Sequence, residues 1–248
     1  MEEFGIGIAP FIPVGIIAQF VDGALGMAYG VISTSVLLTL GMTPAAASAA
    51  VHSAEVFTTA VAGASHAAAG NVDWRIVRGL TLPAVIGGIL GAYILTSFDA
   101  NLVRPWVAGY LMIMGARILW RAAKPPSRHL PKRLALLGFI GGLLDACGGG
   151  GWGPVVTTTL LASGSVPHRV IGSVALTEFF LTIAVSGAFI GRIGFQYYDV
   201  VLGLLIGGVI AAPFAAYFAK RVPGKYLMAL VGILIMVLSV RTLLAAFL

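Results

Sequence analysis

The sequence repeats itself at an offset of 123 positions, and this duplication limits the possible folds more than any other feature of the chain. VDGALGMAYGVISTSVLLTLGMTPAAASAAVHSAEVFTT aligns without a gap over LDACGGGGWGPVVTTTLLASGSVPHRVIGSVALTEFFLT. The alignment pairs Asp22 with Asp145, Gly26 with Gly149, Gly30 with Gly153 and Thr34 with Thr157. It continues through Pro44 with Pro167, Glu55 with Glu178 and Thr59 with Thr182. After one inserted residue, Gly79 meets Gly203, Tyr93 meets Tyr217 and Arg117 meets Arg241. Shared Leu or Ala carries little information in an apolar chain, whereas two acidic pairs inside apolar runs mark an internal repeat.

The solvent that such a repeat can face follows from its charge. Only 10% of the 248 residues are charged and 59% are hydrophobic. A soluble domain carries about 25% charged residues to keep its surface wet. Apolar stretches near 20 residues recur, which matches the roughly 30 Å hydrocarbon core of a bilayer. The 33 glycines suit membrane helices, where small residues let backbones approach closely. The net charge of +6 comes from basic residues in short loops, so it predicts topology and lipid contact, not nucleic-acid binding. The single Cys147 excludes an internal disulfide and cannot alone bind zinc. MEEFGIGIAP lacks the basic region of a cleavable signal, so it reads as a mature start.

Each half then reads alike. An apolar segment (7–21 and 134–144) runs into a Gly-rich stretch carrying the Asp, and a short apolar arm follows (31–40 and 154–162). Three longer helices come next: 44–69, 75–97 and 101–121, then 168–190, 197–219 and 226–247. The expected division is a first transmembrane repeat over 1–120, a linker over 121–133 and a second repeat over 134–248. Arg121, Lys124, Arg128, Lys132 and Arg133 place the linker in the cytoplasm, as Lys220, Arg221 and Lys225 do for a later loop. That later loop corresponds to SFDAN (97–101), which the same counting puts outside. Corresponding loops on opposite sides define an inverted repeat.

The expected fold is therefore an all-α polytopic membrane protein of two inverted repeats, each a re-entrant, broken helical hairpin followed by three transmembrane helices. Residues 134–163 must enter and leave on one side within about 30 residues, too few for two crossings at 1.5 Å per residue. The hairpin tips, Asp22–Gly30 and Asp145–Gly153, face each other deep in the membrane. Irregular backbone is tolerated there only against protein or a wet cavity, which points to a substrate site.

Four consecutive glycines, Gly148, Gly149, Gly150 and Gly151, precede Pro154 at a helix start. Exposed N–H groups at a helix N-terminus attract anions. Thr157, Thr158 and Thr159 add hydroxyls, as do Ser33, Thr34 and Ser35 opposite. The alternative is that the glycines permit tight packing and the hydroxyls bond backbone. Glu55 and Glu178 each lie mid-helix in apolar surroundings, where an acid is by default functional. Burial favours the neutral acid, so both are candidates for reversible protonation, with a neutral, interhelically bonded Glu as the structural alternative. Ser48, His52, Glu55 and Thr59 share one helix face. His52 faces Ala175 across the repeat, and either contacts substrate, relays protons or is a satisfied interhelical histidine. Asp22 and Asp145 either carry protons or cap the broken backbone. Arg117 and Arg241 read as snorkelling anchors, and Trp74, Trp106, Trp120, Tyr197 and Tyr198 as interfacial aromatics. The sequence contains no nucleotide-binding loop, metal-spaced His/Cys cluster or nucleophile triad, so no catalytic residue, cofactor or metal is expected.

GGLLDACGGGGWGPVVTTTLL, echoed by FVDGALGMAYGVISTSVLL, resembles the sulfite exporter TauE/SafE family, and the resemblance spans essentially the whole chain. It implies a carrier in a bacterial or archaeal cell membrane whose substrate is a small sulfur-containing anion such as sulfite, thiosulfate or an organosulfonate. Met27 and Ala28 stand where the second half has Gly150 and Gly151. Proton-coupled secondary transport is the leading expectation. A cation or proton pathway through the carboxylates, or a non-transporting scaffold, are the alternatives.

Overall fold

The computed structural model describes residues 7–123, 133–162, 167–195, 197–218 and 224–247. Its described residues form helices throughout. They run α1 (Phe11–Leu25), α2 (Tyr29–Thr39), α3 (Pro44–Ala68), α4 (Trp74–Ser97), α5 (Ala100–Ala123) and α6 (Leu134–Gly148). After a π-helical turn (Gly153–Thr157) come α7 (Thr158–Ala162), α8 (Pro167–Ile193), α9 (Tyr198–Phe218) and α10 (Gly224–Phe247). Most of the basic linker lies outside the described residues.

Local chemistry sets the boundaries. Thr43 caps α3 through Ala46 N–H (3.4 Å) with Pro44 in its first turn, where a missing N–H costs nothing. Asp73 caps α4 through Arg75 N–H (2.9 Å). The opening helices extend further than their apolar runs suggested. Both α1 and α6 continue through their Asp, so Asp22 and Asp145 sit in last helical turns and the irregular tips shrink to 26–28 and 149–152. Each helix stops at a left-handed glycine, Gly26 (φ +68°) and Gly149 (φ +65°), whose N–H bonds the carbonyl of that Asp.

Four helix pairs build the core: α4 on α6, α1 on α9, α3 on α8 and α5 on α10. Backbones touch where glycine removes the side chain. A Cβ on Gly138 would strike the Leu80 backbone, and one on Gly15 the backbone of Leu204. Gly79 lies against Leu134 and Gly203 against Phe11, while Gly142 and Gly208 lie against Ala84 and Gln19. Each of these contacts maps onto its neighbour when repeat-mates are exchanged. Between α3 and α8, Thr59 Oγ1 stands 3.4 Å from Thr182 Oγ1, its own mate.

Among the described residues, Trp74–Ser97, Ala100–Ala123, His168–Ile193 and Met228–Ala245 are long and apolar enough to cross a membrane. Phe11–Gly23, Tyr29–Thr39, Leu134–Gly148 and Tyr198–Ala212 are shorter apolar helices. Leu82, Ile113, Val209, Leu230 and Val237 are exposed apolar side chains on the outer faces, which lipid must cover. Trp74, Trp106, Trp120 and Tyr198 are exposed as well.

Candidate functional site

The two tips meet. Gly30 and Gly150 approach so closely that a Cβ on Gly150 would land on the backbone of Gly30 and Val31. A Cβ on Gly153 would in turn strike Met27 and Ala28. The Thr34 hydroxyl donates to the Gly149 carbonyl, tying the first arm to the second tip.

Both aspartates close their own tips. Asp145 is 2% exposed, and its Oδ1 accepts from Gly151 N–H (2.6 Å) and Trp152 N–H (2.9 Å). Asp22 Oδ1 accepts from Tyr29 N–H at 3.4 Å, the equivalent but longer bond. The second carboxylate oxygen of Asp145 faces His52 Nε2 at 3.0 Å. His52 Nδ1 lies 2.8 Å from the Ser48 carbonyl, which can only accept, so Nδ1 carries a proton. The Ser48 hydroxyl donates elsewhere, to the Ala146 carbonyl at 2.7 Å. A bond between Nε2 and Asp145 then needs one further proton, on the ring or on the acid. Either placement leaves the pair with no net charge. His52 is thus an interhelical histidine with both nitrogens occupied.

Between the tips lies a narrow cleft of about 10 Å³ lined by Asp22, Glu55, Asp145 and Glu178 with Tyr29, Gly30 and the segment 150–154. Glu55 is 4% exposed and its Oε1 sits 3.4 Å from the Cβ position of Gly30. Among the described residues, neither the Glu55 nor the Glu178 carboxylate has a hydrogen-bond partner. The four acids therefore divide: two aspartates hold backbone and two glutamates face the cleft unpaired. No group of three or more His, Cys, Asp or Glu among the described residues is arranged to hold a metal ion.

The hydroxyls named from sequence separate too. Thr158 donates to the Pro154 carbonyl and Thr159 to that of Val155, the back-bonding common in membrane helices. Ser33, Ser35 and Thr157 are buried with no partner. Arg117, exposed on α5, donates through Nε to the Pro154 carbonyl (3.0 Å) and through Nη2 to Thr159 (3.2 Å).

Each of the four glycines has a neighbour that needs its missing side chain. Gly149 (φ +65°) and Gly150 (φ +146°) hold backbone that L side chains rarely adopt, against Thr34 and Val31. Cβ atoms on Gly148 and Gly151 would overlap the ring and hydroxyl of Tyr110. Tyr110 also walls an apolar cavity of about 360 Å³ between α4, α5 and α6, which reaches Cys147. Sequence reasoning missed Tyr110. Its one signal was that Gly148 and Gly151 match the bulkier Leu25 and Ala28 of the first half, so something must fill the difference.

Comparison with known proteins places this architecture. The family model described as Sulfite exporter TauE/SafE matches residues 11–242. The chain is 42% identical over 243 residues to the probable membrane transporter protein YtnM of Bacillus subtilis (strain 168), covering 93% of this chain and 80% of that protein. No solved structure gives a significant match. The match runs from the start of α1 into α10 and takes in both tips and the cleft between them, so the chain belongs to the sulfite exporter TauE/SafE family of multi-pass membrane transporters.

Proposed function

We propose that the protein is a proton-coupled secondary transporter of a small sulfur-containing anion such as sulfite, thiosulfate or an organosulfonate, working in a bacterial or archaeal cell membrane. One observation carries the reading: two Gly-rich tips converge on a cleft where Glu55 and Glu178 stand without partners. Gly30, at the start of α2, and Gly153, at the start of the π turn, line that cleft, and helix N-termini favour anionic oxygens. An ionised carboxylate in the same small, poorly screened space repels an anion strongly. The anion therefore binds once the glutamates have taken up protons, and leaves as they release them. Coupling follows from sharing one cleft. The exchangeable pairings of α1 with α9 and α4 with α6 support two inverted repeats, so that each tip enters from its own face and the halves rock around the shared site.

A second reading keeps a specific observation in its favour. All four cleft acids are negative when ionised, and two tip N–H groups are already taken by Asp145, which suits a cation or proton pathway. Flux from proteoliposomes separates the two. Sulfite, thiosulfate, methanesulfonate and sulfate are compared with divalent cations, with and without a pH gradient. Flux of at least one sulfur anion, accelerated by the gradient, supports anion transport. Cation flux with no anion flux supports the alternative.

A further inference from the structure

α4 ends at Ser97 and α5 begins at Ala100, yet the two helices part at once. α4 packs on α6 and α8, whereas α5 packs on α10. Both are long and apolar enough to cross a membrane, and the wedge between them is the cavity of about 360 Å³. Ile94 and Phe98 form its rim on one side and Leu102 and Trp106 on the other, all four of them exposed. Leu144, Cys147 and Gly148 of α6 form its floor, together with Tyr110.

The lining offers water almost nothing to bond. The Cys147 thiol is already given to the Gly91 carbonyl at 3.4 Å. The Tyr110 hydroxyl is turned toward Gly151, where a Cβ would collide with it. The rest of the lining is almost wholly apolar. A cavity of this kind stays dry, and a dry void forfeits dispersion contacts all along its walls. In a bilayer the matter at the rim is acyl chain, which is as apolar as the lining itself. The size fits as well: about 150 Å³ holds a benzene ring, so this cavity takes roughly a dozen carbons of a chain. A polar headgroup finds no charged partner inside and stays at the rim.

We propose that the cavity is the seat of one phospholipid acyl chain, which enters between α4 and α5 and packs against the rear of the second tip. Tyr110 links the two places. It walls the cavity and also fills the notch left by Gly148 and Gly151, and Gly151 lines the cleft. A seated chain therefore backs the side chain against which the tip is packed. The seat is separate from the cleft, so its assignment does not depend on what the cleft carries.

The test uses purified protein in phosphatidylcholine nanodiscs doped with a phospholipid that carries a diazirine at the end of one acyl chain. Light expels nitrogen from the diazirine, and the carbene inserts into a neighbouring C–H, O–H or S–H bond, so mapped peptides record where chain ends rest. Adducts are expected at Tyr110, Leu144 or Cys147 as well as at outer-face residues such as Leu230 and Val237. Val103→Trp puts an indole into the cavity from its α5 wall. It should lower the floor adducts about 10-fold or more, because several methylenes lose their burial, while adducts at Leu230 and Val237 stay as in the wild type. Leu144→Phe fills the cavity from α6 and should act alike at Tyr110 and Cys147, with thermal unfolding showing that each variant is folded. Wild-type protein with adducts only at outer-face residues overturns the proposal, and so does floor labelling that survives either substitution in folded protein.

Discussion

Asp145 makes three hydrogen bonds in a nearly inaccessible position: 2.6 Å from Gly151 N–H, 2.9 Å from Trp152 N–H and 3.0 Å to His52 Nε2. Asp145→Ala strips partners from all three at once. A buried group left unpaired costs about 1–3 kcal/mol, so with some relaxation the loss should reach roughly 4–6 kcal/mol. At about 2–4 °C per kcal/mol for a chain of this size, the apparent unfolding temperature should fall by about 10–20 °C. Asp145→Asn should cost far less, about 1–2 kcal/mol, because the amide oxygen still accepts both tip N–H groups. Its NH₂ can donate to His52 Nε2, which is an acceptor once the ring is neutral and Nδ1 is bonded to Ser48. The assay is fluorescence-monitored thermal unfolding in detergent, read as an apparent midpoint since such unfolding is seldom reversible. Asp145→Ala within about 3 °C of wild type would refute the capping role. Asparagine as damaging as alanine would refute the neutral, proton-sharing pair. Asp22→Ala is the internal comparison: with a single 3.4 Å bond to lose, it should cost about 1 kcal/mol.

Four further expectations follow from the same geometry. Glu178→Gln, and more weakly Glu55→Gln, should still bind anion but lose the acceleration that a pH gradient gives to proteoliposome flux; wild-type gradient dependence in the double variant would make both glutamates structural. Tyr110→Phe should leave the unfolding temperature unchanged or raised, because the lost hydroxyl is buried without a partner. Gly148→Ala, which drives a Cβ into the Tyr110 ring, should lower it by several degrees, whereas Gly187→Ala, with open space around it, should stay within about 0.5 kcal/mol of wild type by the same assay. In a Cys147→Ser background, a single cysteine replacing Ser127 in the basic linker should be labelled only from the cytoplasm, and external labelling would contradict the proposed orientation.

Much of this fold was legible in the sequence because membrane helices announce themselves by length and polarity, and duplication doubles the signal. Thr59 and Thr182, which the spacing paired as repeat-mates, also meet across α3 and α8. Helix starts expected at 44 and 75 lie within one residue of the observed starts at Pro44 and Trp74, where Thr43 and Asp73 supply the caps. The tips were drawn too long, since apolar patterning cannot show that a helix continues through an aspartate whose oxygens serve the turn beyond it. Partners were largely invisible. His52 and Asp145 are 93 positions apart, and only the packing of α3 against α6 brings them together. The glycine run suggested close approach by a ligand, yet the bulk of Tyr110 and the positive φ of Gly149 and Gly150 already require it. The π turn at Gly153–Thr157 left no trace that residue composition could reveal.

The central claim is that anion and proton share one cleft between the tips, and the most direct measurement is proton movement driven by an anion gradient alone. Proteoliposomes with equal pH on both sides and a trapped pH-sensitive dye are given an external step of sulfite, thiosulfate or methanesulfonate, each in turn. The account predicts that at least one anion acidifies the interior, because each anion that enters must bring the protons that neutralise Glu55 and Glu178. It also predicts that the Glu55→Gln/Glu178→Gln double variant abolishes the acidification while retaining anion binding. Anion uptake without interior acidification beyond protein-free liposomes, or an equal signal from the double variant, would contradict it.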